Sequence, residues 1–430
     1  MTARQLAFGL LQRIETNDQF LNIALDHALS DSGLEAADRA LAATLVLGVT
    51  ERRITLDYQI DRLASRPAAE LDLPVRTALR LGLYQLLFLD RIPPHAAVSE
   101  SVSLVSKKTS GFVNAVLRAA TRAPSLFLPD RSEDETTYLS VAYSVCRPLC
   151  ERLLQVFGSS RAESILKSFE RNGVTTLSVN TLKVSRKELQ RNIPDSTPTD
   201  LCPNGLTVRG AVRELYGFEE GLFFVQDEAS QICVEALGAN AGETVMDICS
   251  CPGSKSFGSA IRMKNEGRIL AYDLHKKKLP LIESGAKRLG ITIITPSVHD
   301  GREPIPELLE CADRVLCDVP CSGFGVLGKK PELRYKDPKT SDALPDIQLA
   351  ILENACRYVK PGGTLVYSTC TILPEENEFN IRRFLNTHPD FTLTPFSVGT
   401  LEAKDGFLTL LPDIHPTDGF FIAKLTKETT

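Results

Sequence analysis

Over residues 1–122, apolar side chains recur every three to four positions in LAFGLLQRI, LEAADRALAATLVLGVTERRITLDYQIDRL, VRTALRLGLYQLLFL and GFVNAVLRAAT. That spacing gathers them on one face of a helix, and the stretch is expected to form an all-α bundle. Asp72-Leu73-Pro74 and Ile92-Pro93-Pro94 interrupt the pattern. Proline has no N–H to offer a helix interior, so these triplets mark helix boundaries. The run APSLFLPDRSEDET (123–136) holds two prolines and a cluster of charges and predicts a linker.

The pattern then changes. Residues 137–235 mix helical runs (RPLCERLLQVFG, RAESILKSF, SRKELQRNI) with short alternating ones (TTLSVNTLK, GLTVRG, LFFVQ), which predicts a small α+β module. From 236 onward, strand-like ETVMDI, RILAYDL, ITIITPSV, DRVLCDV and GTLVYST are separated by helical stretches such as HKKKLPLIESGAKRLG and SDALPDIQLAILENACRYV. Strands alternating with helices predict a parallel, doubly wound sheet. Three parts are therefore expected: residues 1–125, 137–235 and 236–430.

A chain of 430 residues, 43% hydrophobic, can bury two or three cores. It has no run of eighteen uncharged apolar residues, so no membrane span is expected. The opening MTARQLAFGLLQRIE interleaves charge with apolar residues and predicts an amphipathic helix, not a signal peptide. Eleven cysteines, an odd number without a disulfide framework, point to reduced thiols in a cytoplasm. The close pairs Cys146/Cys150, Cys249/Cys251 and Cys317/Cys321 lack C-x-x-C spacing, and no metal is expected. Net charge is −5, divided as 14 Lys+Arg against 13 Asp+Glu in 1–125 and 35 against 41 beyond. Nucleic-acid contact, if made, must come from local patches.

The first strand of the sheet runs into Asp247 and the small-residue turn Cys249-Ser250-Cys251-Pro252-Gly253-Ser254-Lys255. Ligands of such sheets sit at the carboxyl ends of strands. The second strand ends in Asp273, placed to take ribose hydroxyls, and the third leads to Asp300, placed for an adenine amino group. A dinucleotide would need G-x-G-x-x-G to cradle its pyrophosphate, which disfavours a nicotinamide dehydrogenase. S-adenosylmethionine carries no phosphate and suits the turn. Two more strands end in Asp318-Val319-Pro320-Cys321 and Tyr367-Ser368-Thr369-Cys370, so two cysteines share the cofactor's edge of the sheet. Cys233 and Cys356 lie on apolar helical faces and are expected in the core. A thiolate suits methylation of cytosine C5: adding to C6, it turns a weak carbon nucleophile into an enamine. Asp318 is placed for the N3/N4 edge of such a base, which must leave its stack to arrive.

The motifs DICSCPGSK, DVPCSGFGVLGKKPELRY, YSTCTILPEENE and DGFFIAKL, in this order, resemble the RsmB (Sun/Fmu) family of 16S ribosomal RNA cytosine-C5 methyltransferases. VNTLK (179–183) and VQDEASQ (225–231) resemble that family's middle segment. DRALAATLVLGV, RLGLYQLLFLDRIPPHAAV and GFVNAVLR resemble its N-terminal domain, which is similar to NusB. The resemblance implies a NusB-like helical RNA-binding domain, an α+β RNA-binding module and a Rossmann-like class I methyltransferase domain using S-adenosylmethionine. It implies Cys370 as nucleophile and Cys321 as the aid to product release. It further implies Cys249 to Lys255, Asp273, Asp300 and Asp318 at the cofactor, with Asp318 also facing the base. Spacing alone leaves the order of the two cysteines open, since DNA cytosine-C5 methyltransferases use the Pro-Cys cysteine as nucleophile. The implied partner is 16S ribosomal RNA, or an early small-subunit assembly intermediate, met by a monomer and modified at one cytosine (position 967 by that resemblance).

The chain departs from the family in places. Its turn reads C-S-C-P-G-S-K where C-A-A-P-G-G-K is usual, and Ser254 for glycine is expected at most to weaken or shift cofactor affinity. Gly328 replaces a usual basic residue and Tyr335 a usual tryptophan. Lys329, Lys330 and Arg334, with Lys336, keep charge there, with Tyr335 interleaved as a stacking surface; together with Lys183 these are the expected RNA contacts. The drifted turn also admits an alternative, a non-catalytic RNA-binding or ribosome-assembly protein on a methyltransferase fold.

Overall fold

The computed structural model describes residues 1–17, 21–123, 125–170 and 173–429. The chain divides into two compact units: residues 1–167 with 329–338, and residues 168–328 with 339–430.

The first unit is helical: α1 (Ala3–Asn17), α2 (Leu21–Ser30), α3 (Ala36–Glu51), α4 (Arg53–Leu63), α5 (Leu73–Phe88), α6 (Pro94–Ser103), α7 (Lys107–Ala120), α8 (Glu135–Tyr143), α9 (Arg147–Phe157) and α10 (Ser159–Ser168). The proline triplets act as boundaries: α5 begins beside Pro74 and α6 at Pro94. The long apolar run 34–63 breaks at Arg52 into α3 and α4. Helix α5 is apolar on nearly every side and is accordingly the central helix, with Ala78, Leu79, Leu81 and Leu83 fully buried. It also buries Arg80, which donates twice to Asp57 (2.6 and 2.7 Å) and once to Glu15 (2.8 Å).

Two boundaries differ from expectation. The expected linker is tied down: Gln59 donates to the Phe127 carbonyl (2.9 Å) and accepts from its N–H (2.8 Å). Pro124 of that linker lies outside the described residues. The α+β module does not begin at 137, because α8 to α10 belong with the helical unit. The Thr55 hydroxyl donates to the Val141 carbonyl (2.6 Å), and the Ile54 N–H donates to Ser144 Oγ (2.9 Å). These bonds join segments about 90 residues apart and leave no trace in local periodicity.

The second unit holds two sheets. In the smaller, β1 (Val174–Val179), β2 (Thr197–Pro198), β3 (Gly205–Arg209) and β4 (Phe223–Val225) pair antiparallel in the order β2-β3-β1-β4, with α11 (Arg186–Asn192) between β1 and β2 in the chain. The rest of the unit contains α12 (Glu228–Leu237), β5 (Thr244–Asp247), α13 (Ser254–Arg262), β6 (Arg268–Asp273), α14 (Leu279–Leu289), β7 (Ile294–Val298), β8 (Ala312–Asp318), α15 (Leu344–Ala355), β9 (Val359–Thr369), α16 (Glu378–Thr387), β10 (Phe391–Leu393), β11 (Phe396–Val398), β12 (Leu401–Ala403), β13 (Phe407–Leu410) and β14 (Phe420–Lys427). The large sheet runs β10-β14-β9-β8-β5-β6-β7, with β13 on β14. Its five expected strands, β5 to β9, are parallel. The sheet as a whole is mixed, because β14 pairs antiparallel with β9. After β7 the chain returns to lay β8 beside β5, so the strand order reverses between β5 and β8. A crevice at the carboxyl ends of these two strands is where such a sheet holds a ligand.

The smaller sheet is not a separate module. Asn180, fully buried, donates to the carbonyls of Gly221 and Leu289 (2.9 Å each). Gly221 has φ +67°, and a Cβ there would lie 2.0 Å from the Arg288 carbonyl oxygen. Among the described residues no helix is long and apolar enough to cross a membrane.

The segment 329–338 comes from the catalytic half of the sequence yet belongs to the helical unit. Arg334 has no exposed surface; its guanidinium donates to the Tyr143 carbonyl (2.8 Å) and meets Glu51 (3.2 Å). Tyr335 Oη accepts the Arg53 N–H (3.0 Å), and the Arg53 guanidinium lies 3.8 Å from its ring centroid. Tyr335→Phe should therefore cost about 1–2 kcal/mol of stability, read by urea unfolding of the full chain, because it strips the Arg53 N–H of its acceptor. Unchanged stability with weakened RNA binding would instead mark Tyr335 as an RNA contact.

Candidate active site

The site at the β5/β8 reversal is built from the ends of β5, β6, β8 and β9 and the turn into α13. Asp247 closes β5 and is 1% exposed. Its Oδ2 accepts from Ser256 Oγ (2.6 Å), whose oxygen also lies 3.0 Å from Ser250 Oγ, while Asp247 Oδ1 is buried with no partner. Burial pushes the Asp247 carboxyl up to about 6; the Ser256 hydrogen bond pulls it down, and neighbouring Asp318 adds to the rise. Gly253 holds φ +108° at the mouth of α13, a conformation only glycine takes freely. Ser254 is the first residue of α13 and is absent from the non-glycine residues with positive φ, so the serine strains nothing. The departure that mattered on paper falls one position beyond the residue that needs to be glycine.

Lys255, 8% exposed, points back to the sheet and donates to Asp318 Oδ2 (2.6 Å) at the end of β8; Ser368 Oγ donates to Asp318 Oδ1 (2.8 Å) from β9. Burial works against the Lys255 ammonium, but Asp318 outweighs it and, with Cys233 and Cys370 adding to the effect, holds the group above its ordinary range. Phe420 places its ring centroid 5.1 Å from the same ammonium. Asp273, at the end of β6, accepts from the His275 N–H (2.8 Å), and Ser250 N–H donates to the adjacent Tyr272 carbonyl (2.7 Å), joining the turn to this strand. Burial chiefly, then Asp247, Asp318, Asp273 and Asp300, push the Cys249 thiol upward, so four carboxylates converge around it. Cys251 is driven up to about 12 by burial and by Asp273. Pro252 is exposed. Asp300 is engaged by Arg302 (2.6 and 3.0 Å), whose hydrogen bonds hold its carboxyl down at about 2.

The two strand-end cysteines meet. Cys321 Sγ lies 3.2 Å from Cys370 Sγ and accepts the Cys370 N–H at 3.3 Å. The hydrogen bond with Cys370 chiefly, then burial, push the Cys321 thiol well above its ordinary value, with Glu376 and Asp318 adding to the rise. Cys233 and Cys356 are buried in the core, as their helical faces implied.

The expected RNA contacts divide. Lys329 and Lys330 are exposed. Arg334 and Tyr335 are instead held inside the helical unit, the buried guanidinium by Glu51 and the Tyr143 carbonyl and the half-buried phenol by the Arg53 N–H. Lys183 is exposed, yet its ammonium donates to the carbonyls of Glu220 (2.7 Å) and Arg288 (3.0 Å). Sequence reasoning did not single out Asp247 as a site residue, nor Ser368, Gln348 or Glu376. Asp247 and Ser368 carried a signal, each at the end of an expected strand, and Glu376 lies in the motif YSTCTILPEENE.

The residues fit S-adenosylmethionine. Asp247 Oδ1 is a buried acceptor without a donor, and Asp273 closes the next strand. Residues 234–426 match the family model described as 16S rRNA methyltransferase RsmB/F, and residues 1–122 match the NusB family. The chain is 38% identical to the probable ribosomal RNA small subunit methyltransferase B of Synechocystis, over 99% of this chain and 100% of that one. It is 35% identical to the corresponding protein of Bacillus subtilis, over 99% of each. The solved structure of PH0851 aligns with a TM-score of 0.80 at 30% identity, covering 99% of both chains.

Asp247 makes stability depend on pH. Its folded value, about 6, exceeds the ordinary 3.8, so the folded chain keeps a proton that the unfolded chain loses. The contribution is full below about pH 4 and is lost as pH rises through about 6, a swing on the order of 3 kcal/mol. Asp247→Asn should remove that slope, raise the melting temperature at pH 8 and weaken S-adenosylmethionine binding. Melting curves of both proteins from pH 4 to 8 that run parallel would sink the assignment.

Proposed function

The chain belongs to the 16S rRNA methyltransferase RsmB/F family, and from that premise we propose that it methylates C5 of a cytosine in 16S ribosomal RNA through a covalent Cys370 adduct. The observation that carries the reading is the pair of thiols 3.2 Å apart, beside the Lys255–Asp318 pair at the strand-order reversal.

S-adenosylmethionine supplies a methyl group on a sulfonium, which leaves as a neutral thioether. The chain supplies the rest. Lys255 presents a cation near Cys370, which favours the thiolate over the thiol. The Cys370 thiolate adds to C6, and the C5=C6 π pair moves to C5, which forms the new bond to the methyl carbon. C5 then holds both methyl and hydrogen. Loss of that proton to solvent re-forms C5=C6, the C6–sulfur bond breaks, and its electron pair returns to Cys370. Cys321, in contact with the departing sulfur, assists this release. Asp318, fixed by Lys255 and Ser368, faces the amino edge of the base. Asp247 would hold the cofactor's ammonium, Asp273 its ribose and Asp300 its adenine edge.

Lys329 and Lys330 and the run Lys276-Lys277-Lys278, just beyond Asp273, are exposed and offer charge for the RNA backbone. Phosphate contacts of this kind position an RNA without reading its sequence.

Incubation with methyl-labelled S-adenosylmethionine and unmodified 16S ribosomal RNA, followed by bisulfite sequencing, should place the label on C5 of one cytosine. Cys370→Ala should abolish transfer, and Cys321→Ala should accumulate a protein–RNA adduct that survives denaturation. Label on another atom, or transfer by Cys370→Ala, would defeat the proposal. Retained RNA binding without any transfer would favour the non-catalytic alternative.

A further inference from the structure

One buried carboxylate near the paired thiols has no part in the scheme above. Glu376 is 3% exposed, seven residues after Thr369 closes β9. Its Oε2 accepts from the Ser322 N–H (2.9 Å) and from Gln348 Nε2 (2.8 Å). Two N–H donors converge on that one oxygen, which accepts both. Gln348, fully buried on α15, donates its second amide hydrogen to the Pro320 carbonyl (2.9 Å). Its amide cannot flip, because Asn380 Nδ2 donates to Oε1 (3.1 Å). Tyr367 Oη donates to the Glu376 carbonyl (2.6 Å), and Ser322 Oγ donates to Thr371 Oγ1 (2.8 Å). The residues on both sides of Cys321 are thus clamped to the segment that follows Cys370.

We infer that Glu376 is a positioning residue that clamps the Cys321 turn against Cys370 and decides which of the two sulfurs carries the negative charge they share. The inference rests on the covalent reading above. Two thiols at 3.2 Å cannot both ionise without like-charge repulsion, so at most one negative charge is shared between them. The surrounding charges are unequal. Cys321 faces Glu376 and Asp318, both of which disfavour a thiolate there. The Asp318 carboxylate is already offset by Lys255, which leaves Glu376 as the uncompensated charge on this side. Cys370 faces the Lys255 ammonium. The shared charge therefore settles on Cys370, and the Cys321 S–H donates to it.

The test reads charge placement without RNA or turnover. The folded full-length chain is treated with substoichiometric iodoacetamide, and the ratio of singly alkylated Cys321 to Cys370 is measured by peptide mass spectrometry. In the wild-type chain, alkylation should fall mainly on Cys370. Glu376→Gln keeps the shape and one acceptor oxygen but removes the charge, and should shift the ratio toward Cys321 about tenfold. Glu376→Asp, which keeps the charge, should return the ratio toward wild type. Adduct formation with RNA should slow in Glu376→Gln while S-adenosylmethionine affinity stays unchanged. An unchanged ratio in folded Glu376→Gln overturns the inference. Wild-type alkylation landing first on Cys321 overturns it whatever the variants do, including their failure to fold. Transfer by Cys370→Ala would instead strike the covalent reading itself.

Discussion

Lys255 sits on the first turn of α13, where its stem runs into the interior, and an ammonium there requires a carboxylate within hydrogen-bond reach. Asp318 provides it from the neighbouring strand across the reversal in strand order. Breaking such a buried pair strands a charge in a poorly solvating place, at a cost on the order of 3–5 kcal/mol. This one contact sets much of the site. It joins the cofactor turn to the end of β8, fixes the carboxylate that Ser368 then approaches from β9, and leaves a cation near Cys370.

Four aspartates end or follow strands around that pair, and what distinguishes them is partnership. Asp318 has a lysine, Asp300 an arginine, Asp273 a backbone N–H, and Asp247 a serine with one oxygen left over. The incomplete one is the natural receiver of a ligand's donor. The same logic separates the sulfurs: half-buried Cys249 feels four aspartates, Cys321 feels Glu376 and Asp318, and Cys370 feels the Lys255 ammonium. Three identical side chains acquire different chemistry from the charges beside them, not from their own positions in strands or turns.

The helical unit makes a related point about arginine. Arg80 and Arg334 are both buried and both hold elements together, Arg80 through Asp57 and Glu15, Arg334 through Glu51 and a carbonyl. In a sequence, a run such as KKPELRYK looks like a basic surface. Folded, its arginine and tyrosine pin the segment 329–338 into the helical unit, and of its residues Lys329 and Lys330 remain exposed.

What the sequence by itself determined is whatever depends on local spacing. Helix and strand periods located the helices of the first 122 residues, the five parallel strands and their order of alternation. They also placed Asp247, Asp273, Asp318, Cys321 and Cys370 at or beside strand ends, because a strand's end is a feature of a few consecutive residues. The tertiary structure alone decided which distant groups meet. It gave α8 to α10 to the helical unit, set β14 antiparallel against β9, paired Arg334 with a residue 283 positions away, and closed Glu376 and Gln348 around the Cys321 turn. The reason is physical: periodicity records which face of an element is buried, whereas the partner of a buried charge or amide is set by the packing of segments far apart in the chain.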